Sequence, residues 1–193
     1  MRRENNKAKI IWAAFIGFIM ISSVFGVMFY GFTSPEEKLD YKGTVFTRIN
    51  NGFTTQINKK QVPFSYFPSD VEELDIDREA ITRIKNTAEV DMTYDLDNKY
   101  SQQIALIQYN IEPILADFFN IYIRKGFTAN NSYNIPIIDC SQSTKNVPVL
   151  YFKESNTTRV YLEDNCIIAE ASKGNEFLKI SDRILYGMFG IIE

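Results

Sequence analysis

Histidine is absent from all 193 residues of this chain, and its absence excludes more chemistry than any motif present suggests. Without an imidazole, the chain cannot supply a Ser-His-Asp or Cys-His nucleophile, a histidine-ligated zinc site or the usual proton shuttle near neutral pH. An enzyme would have to use carboxylates, Lys, Tyr, or a bound metal or cofactor. The sequence assigns no catalytic residue, no cofactor and no metal ligand.

Basic residues are in the minority after residue 32. Residues 33–193 carry 17 Lys and Arg against 23 Asp and Glu, a net charge of −6. An acidic domain binds phosphate backbones poorly, so we expect no nucleic-acid partner. These 161 residues include no stretch rich in Pro, Gly or Ser that would separate two domains, and their number suits one domain.

One long apolar run is present, at residues 10–32, and its 23 residues carry no charge. As a helix rising about 1.5 Å per residue, the run would span roughly 34 Å, enough for the roughly 30 Å hydrocarbon core of a bilayer. Arg2, Arg3, Lys7 and Lys9 precede it, and positive flanks stay on the cytoplasmic side. We therefore expect a signal anchor at 10–32, a basic cytoplasmic tail at 1–9 and a single-pass protein of the cell membrane.

A cleavable signal peptide is the alternative, with a cut after Gly26. The hydrophobic cores of signal peptides usually last about 7 to 15 residues. Here the apolar residues continue through residues 27–30, past the candidate cut. Length therefore favours an uncleaved anchor with an extracytoplasmic domain behind it.

A polar stem is expected at 33–43, followed by a small antiparallel β meander at 44–67. Asn51-Gly52 separates two β-rich runs and is the strongest two-residue hairpin signal, which places both residues at the centre of a tight turn. A third strand follows, in which Pro63 indicates an edge position or a bulge. The meander opens an extracytoplasmic domain that covers 44–193.

Helices and strands are mixed in the rest of the domain. Alternation near Val90 predicts a strand, and apolar residues at steps of three and four from Tyr100 to Tyr122 predict a long helix. Four β-rich segments and an apolar-striped helix follow, the segments beginning at Ile135, Val149, Thr158 and Cys166. The expected fold class is α/β, with α+β as the alternative: one N-terminal transmembrane helix, the meander, and a mixed sheet with packed helices.

Pro148 immediately precedes a strand, a hairpin and the closing helix. This order of elements resembles the second half of a thioredoxin-like fold. Where that family carries its paired cysteines, this chain has Asp95, Leu96, Asp97 and Asn98. The resemblance therefore implies a degenerate thioredoxin-like binding module without redox activity.

Cys140 and Cys166 are the only two cysteines in the chain. In an exported domain they are expected to form a structural disulfide, which would stabilise the fold by roughly 3.5 kcal/mol in the chain-entropy description. Two buried thiols are the alternative. The wide spacing argues against a catalytic dithiol.

Residues 70–79 contain the densest run of acidic side chains. Read as EF-hand loops, the segments starting at Asp75 and Asp95 fail at the glycine position, which holds Ala80 or Tyr100, and at the terminal glutamate. A solvated acidic helix face explains the run, and no metal site is assigned.

Two glycan acceptor sequons begin at Asn130 and Asn156. Both lie in segments expected to be turns, where an acceptor must lie to be reached. Both residues are therefore candidate glycosylation sites.

The sequence as a whole favours a membrane-anchored extracytoplasmic domain that acts in binding or in envelope assembly, with the membrane contacted through residues 10–32 and an unidentified protein as partner. The first alternative is an extracytoplasmic enzyme that depends on carboxylates or a metal. A deep pocket that collects acidic side chains from distant segments would favour that enzyme. The thioredoxin-like binding module is the second alternative.

The flanking charges predict that everything after residue 33 lies outside the cytoplasm. Protease added to intact cells should therefore remove the domain while a cytoplasmic control protein stays whole. Protection of the domain until the cells are lysed would contradict the predicted orientation.

Overall fold

The structure, a computed structural model, describes residues 6–30 and 37–193, which belong to two compact units, Met1–Glu37 and Lys38–Glu193. In the first unit, helix α1 (Asn6–Tyr30) exposes apolar side chains around its circumference, as Ile10, Ile11 and Trp12 do in succession. Within the described residues, no helix combines the length and mean hydropathy of a membrane span. The span predicted at 10–32 is therefore not confirmed, and residues 31–32, like 1–5 and 33–36, lie outside the described residues.

The second unit begins with an antiparallel sheet of four strands in the order β1-β2-β3-β4. Its strands are β1 (Lys38–Tyr41), β2 (Thr44–Ile49), β3 (Gly52–Ile57) and β4 (Lys60–Phe64). The predicted meander is present, and β1 adds a fourth strand inside the segment expected to be a polar stem. Pro63 lies on β4 at the edge of the sheet, where a residue without a backbone N–H is tolerated.

Asn51-Gly52 does not occupy the centre of the first long hairpin as predicted. Ile49 pairs with Gly52, so Asn50 and Asn51 are the two loop residues. Gly52 is needed for another reason: a Cβ built on it would lie 2.2 Å from the carbonyl oxygen of Phe64, and its φ is 142°. The glycine permits β3 to pass close to the end of β4, a contact between strands that the hairpin motif does not encode.

The other strands form a mixed sheet in the order β5-β9-β10-β8-β6-β7. They are β5 (Asp75–Ile76), β6 (Glu89–Tyr94), β7 (Tyr122–Phe127), β8 (Val149–Glu154), β9 (Arg159–Glu163) and β10 (Cys166–Ala171). β10, β8, β6 and β7 run parallel, and β9 is antiparallel to β10. The segment from Ile135, predicted as a strand, forms an isolated bridge between Ile137 and Phe127, and Pro136 offers no donor to extend it.

Three helices cover one face of this mixed sheet: α2 (Arg78–Lys85), α3 (Ser101–Phe119) and α4 (Gly174–Phe189). α2 begins after Asp77, whose carboxylate accepts the backbone N–H of Glu79 at 2.8 Å. α3 continues through Pro113 and ends at Asn120 in the left-handed conformation. α4 packs against both α2 and α3, so its buried side chains form the centre of the main core.

A smaller core lies on the opposite face of the mixed sheet. Ile138, Val149 and Ile168 pack there beside the disulfide between Cys140 and Cys166, whose Cα atoms are 5.3 Å apart. The predicted disulfide is thus confirmed. It ties the connection between β7 and β8 onto β10.

Replacement of Gly52 by Ala is expected to lower the free energy of unfolding by about 2 kcal/mol or more, because the new Cβ would collide with the Phe64 carbonyl. Gly43→Ala is the matched control, since Gly43 also has a positive φ of 87°, but a Cβ added there would have no neighbouring atom within 4 Å. The unfolding free energy of that control should fall by only about 1 kcal/mol, which is the cost of holding an alanine at a positive φ. Equal losses in chemical denaturation would show that the close contact at Gly52 is unimportant.

Candidate functional site

A cavity of about 750 Å³ lies between the edge of the four-stranded sheet and helices α3 and α4. β4 and the loop after β2 line one side, and the two helices line the other. All of these elements belong to the second compact unit. The cavity thus lies where the meander meets the mixed part of the domain.

Apolar side chains form most of the cavity wall. On α3 they recur at steps of three and four, which places them on one side of the helix, and they are Ile107, Ile111, Ile114 and Phe118. Leu178 and Leu185 contribute from α4, and Pro63 and Phe64 from β4. The apolar stripe of α3 therefore serves both the core and the cavity.

Asp182 on α4 is the buried carboxyl group of this cavity, with 6% of its surface exposed. Its Oδ2 accepts the backbone N–H groups of Ser65 and Tyr66, each at 2.8 Å. Burial raises the pKa of Asp182 to about 7, although the two backbone N–H donors favour the ionised form. Within the described residues, Oδ1 accepts no hydrogen bond, and no Lys or Arg forms a salt bridge with this carboxyl.

Tyr186 holds the same chain segment from the next turn of α4. Its hydroxyl donates to the carbonyl oxygen of Tyr66 at 2.7 Å, and its ring stacks on Phe64 with centroids 4.2 Å apart. Residues four apart lie on one side of a helix, so Asp182 and Tyr186 reach the segment together. Burial raises the pKa of the Tyr186 hydroxyl well above its ordinary range, which keeps it a donor.

Two further carboxylates lie at the cavity, both on α3. Glu112 pairs with Lys125 at 2.5 Å, and Asp117 pairs with Lys60 at 3.3 Å. Among the described residues that line the cavity, none is Lys or Arg. The lining is therefore mostly apolar, with acidic groups and a few neutral polar side chains such as Asn51, Gln61 and Asn110.

The residues singled out from the sequence lie elsewhere. Cys140 and Cys166 are bonded on the far face of the mixed sheet, and neither lines the cavity. Asn130 and Asn156 are exposed and lie outside helices and strands, as an acceptor site requires. The structure therefore brings the two cysteines together, whereas both sequons lie apart from them. Glycosylation at either sequon stays a prediction.

A second polar cluster occupies the face of the mixed sheet away from the helices. Glu170 accepts hydrogen bonds from Arg159 and Tyr161, and Lys153 lies 3.7 Å from it. Burial opposes ionisation of Glu170, yet the hydrogen bonds from Arg159 and Tyr161 lower its pKa below the ordinary value. Its charge is thus compensated within the sheet, in contrast to that of Asp182.

Sequence reasoning missed Asp182, although a signal is present. Asp182 follows Leu178 by four residues and precedes Leu185 by three, so it interrupts the apolar stripe of the last helix. A carboxylate on an apolar stripe is unusual, because an ionised group loses its hydration when it is buried. The sequence pattern can therefore single out Asp182. It cannot identify the backbone partners, because Ser65 and Tyr66 lie more than a hundred residues away in the chain.

Comparison with known proteins gives no relative for this chain: no protein-family model, no curated protein and no solved structure matches it.

The raised pKa of Asp182 predicts a specific dependence of stability on pH. Because the folded state binds this proton more tightly, the contribution is complete below about pH 4 and is lost as the pH rises to about 7, a change of up to roughly 4 kcal/mol. Asp182→Asn keeps an acceptor for both N–H groups and removes the proton equilibrium. The unfolding free energy of the variant relative to wild type should therefore increase between these pH values.

Asp117→Asn is the control for this measurement, because Asp117 is exposed and paired at the surface. The difference in unfolding free energy between Asp117→Asn and wild type should not increase between about pH 4 and pH 7 as it does for Asp182→Asn. A constant difference between Asp182→Asn and wild type from pH 4 to pH 8 would contradict the assigned role of burial.

Proposed function

We propose that this chain is a membrane-anchored binding domain, with residues 10–32 as the anchor, the domain outside the cytoplasm and the cavity beside Asp182 as the binding site. The cavity carries the proposal. Its volume of about 750 Å³ falls within the range of small-molecule sites, and apolar walls with a few convergent polar groups are typical of such sites. The sequence adds no catalytic constellation that would require another role.

The anchor is supported by the uncharged run and by the surface of α1. Apolar side chains such as Ile10 and Phe18 are 67% and 69% exposed, and their contact with water is unfavourable unless lipid or another apolar surface covers them. The positive residues before the run favour a cytoplasmic amino terminus. A disulfide between Cys140 and Cys166 is typical of domains outside the cytoplasm.

A carboxylate-dependent enzyme is the second candidate, because acidic side chains from two helices line one cavity. Two of them, Glu112 and Asp117, form salt bridges, and Asp182 uses Oδ2 to hold the backbone. These contacts account for the presence of the three carboxylates without a catalytic role, so binding is the better-supported function. The thioredoxin-like alternative has less support, because the peptide bond before Pro148 is trans, like the other peptide bonds in the described residues.

Methyl NMR of the full chain in neutral detergent micelles tests the cavity as a binding site. With isoleucine methyl groups labelled, 1-hexanol should shift the signals of Ile107, Ile111 and Ile114, which line the cavity, and leave Ile84 and Ile167, which do not, unchanged. Leu178→Trp fills part of the cavity and should weaken hexanol binding at least about fivefold, as steric exclusion predicts.

Leu106→Trp is the matched control, because Leu106 lies on α3, is exposed and does not line the cavity. It should bind hexanol as the wild type does. Uniform small shifts of all isoleucine signals, or equal binding by the two Trp variants, would overturn the proposed site.

A further inference from the structure

The charged side chains that line the cavity are all acidic among the described residues. Glu112 and Asp117 from α3 and Asp182 from α4 line it, and among the described lining residues there is no basic side chain. Glu112 and Asp117 each form a salt bridge with a lysine, so the attraction for a positively charged ligand comes mainly from Asp182. A ligand that brings a carboxylate meets repulsion.

Asp182 is the member of this group without a counter-ion. Lys125 and Lys60 compensate Glu112 and Asp117 at 2.5 and 3.3 Å, whereas Asp182 has backbone donors alone and both act on Oδ2. Oδ1 has no hydrogen-bond partner within the described residues. A buried carboxylate in this state gains from a cationic partner, because the charge is desolvated and one oxygen is still available to accept.

We infer that the cavity binds a small amphipathic molecule with an apolar body and one protonated amine. The inference rests on the proposed function of the cavity as a binding site and specifies its ligand. The amine donates to Oδ1 of Asp182, and the apolar body packs between Ile111 of α3 and Leu178 of α4. The hydroxyl of Ser181, which also lines the cavity, provides a second acceptor.

An amine suits this site better than the other polar head groups. A hydroxyl donates one hydrogen bond but leaves the charge of Asp182 uncompensated, whereas an ammonium group compensates the charge and supplies three donors. The walls are mostly apolar, so they disfavour a ligand that is polar throughout, because most of its groups would lose hydration without gaining a partner.

Three probes with the same six-carbon chain separate these possibilities: hexylamine, 1-hexanol and hexanoate. Each is titrated into the full chain at about pH 8, where hexylamine is protonated and the Asp182 carboxyl is largely ionised, with the Ile107, Ile111 and Ile114 methyl signals as the readout. Hexylamine should bind about tenfold more tightly than 1-hexanol, and hexanoate should bind more weakly than either. Amine and alcohol affinities within about twofold of each other would overturn the inference and leave the proposed binding site intact. No response to any of the three probes would overturn both.

Variants that remove one negative charge test whether Asp182 causes the preference for hexylamine over 1-hexanol. Asp182→Asn should reduce the preference for hexylamine over 1-hexanol to about twofold or less while hexanol still binds. Glu73→Gln, an exposed acidic residue outside the cavity, removes one charge of the same sign and should leave the preference unchanged. If both variants lowered the preference equally, general attraction by the acidic domain would replace the specific contact with Asp182.

If Asp182→Asn does not fold, Leu178→Trp still tests the proposed ligand, because this substitution leaves the backbone contacts of Asp182 in place. Leu178→Trp should then weaken hexylamine and 1-hexanol alike, because it occupies the space of the apolar body. Loss of hexanol binding alone would place the amine outside the cavity and would overturn the inference.

Discussion

Helix α4 binds residues 65 and 66, where the meander meets the mixed part of the domain, through hydrogen bonds from two successive turns. Asp182 accepts two backbone N–H groups of this segment, and Tyr186, one turn further, donates to the carbonyl of Tyr66. The stacking of Tyr186 on Phe64 extends the contact to the inner face of β4. Backbone groups that leave a sheet need new partners when they are buried, and α4 supplies them here. One face of α4 therefore makes a large part of the contact between the meander and the mixed part of the domain.

The cavity follows from this arrangement. β4 is joined to α4 at its carboxyl end by the contacts of Ser65 and Tyr66, and at its amino end Lys60 forms an exposed salt bridge with Asp117 of α3. Between these two attachments, the apolar wall of α3 faces the edge strand across open space. Pro63 removes a backbone donor from this edge, which disfavours pairing with another strand. For the binding site that we propose, this geometry favours a compact ligand over an added β-strand.

Asp182 has a structural role and, in our proposal, a binding role, and the two roles use different oxygens. Oδ2 stabilises the backbone segment, whereas Oδ1 is available within the described part of the chain. Burial of the carboxylate raises its pKa and costs stability as the pH rises, which the packing of the surrounding core must offset. A neutral amide at this position would serve the fold alone. In our proposal, a cationic ligand offsets the cost of this buried charge.

Local patterns in the sequence were sufficient for the mixed fold class, the β meander, the long helix and the final helix, because each depends on neighbours in the chain or on a regular period. The disulfide was predictable because there are only two cysteines to join. The turn at Gly52 was misplaced by one residue, because the constraint on that glycine comes from the Phe64 carbonyl on another strand. The strand order, the isolated bridge at Ile137 and the cavity likewise depended on tertiary structure. Asp182 shows the reason. Its place on the apolar stripe of the last helix can be read from the sequence. Its partners Ser65 and Tyr66 are more than a hundred residues away in the chain, and only the packing of distant segments brings them to it, which no local period encodes.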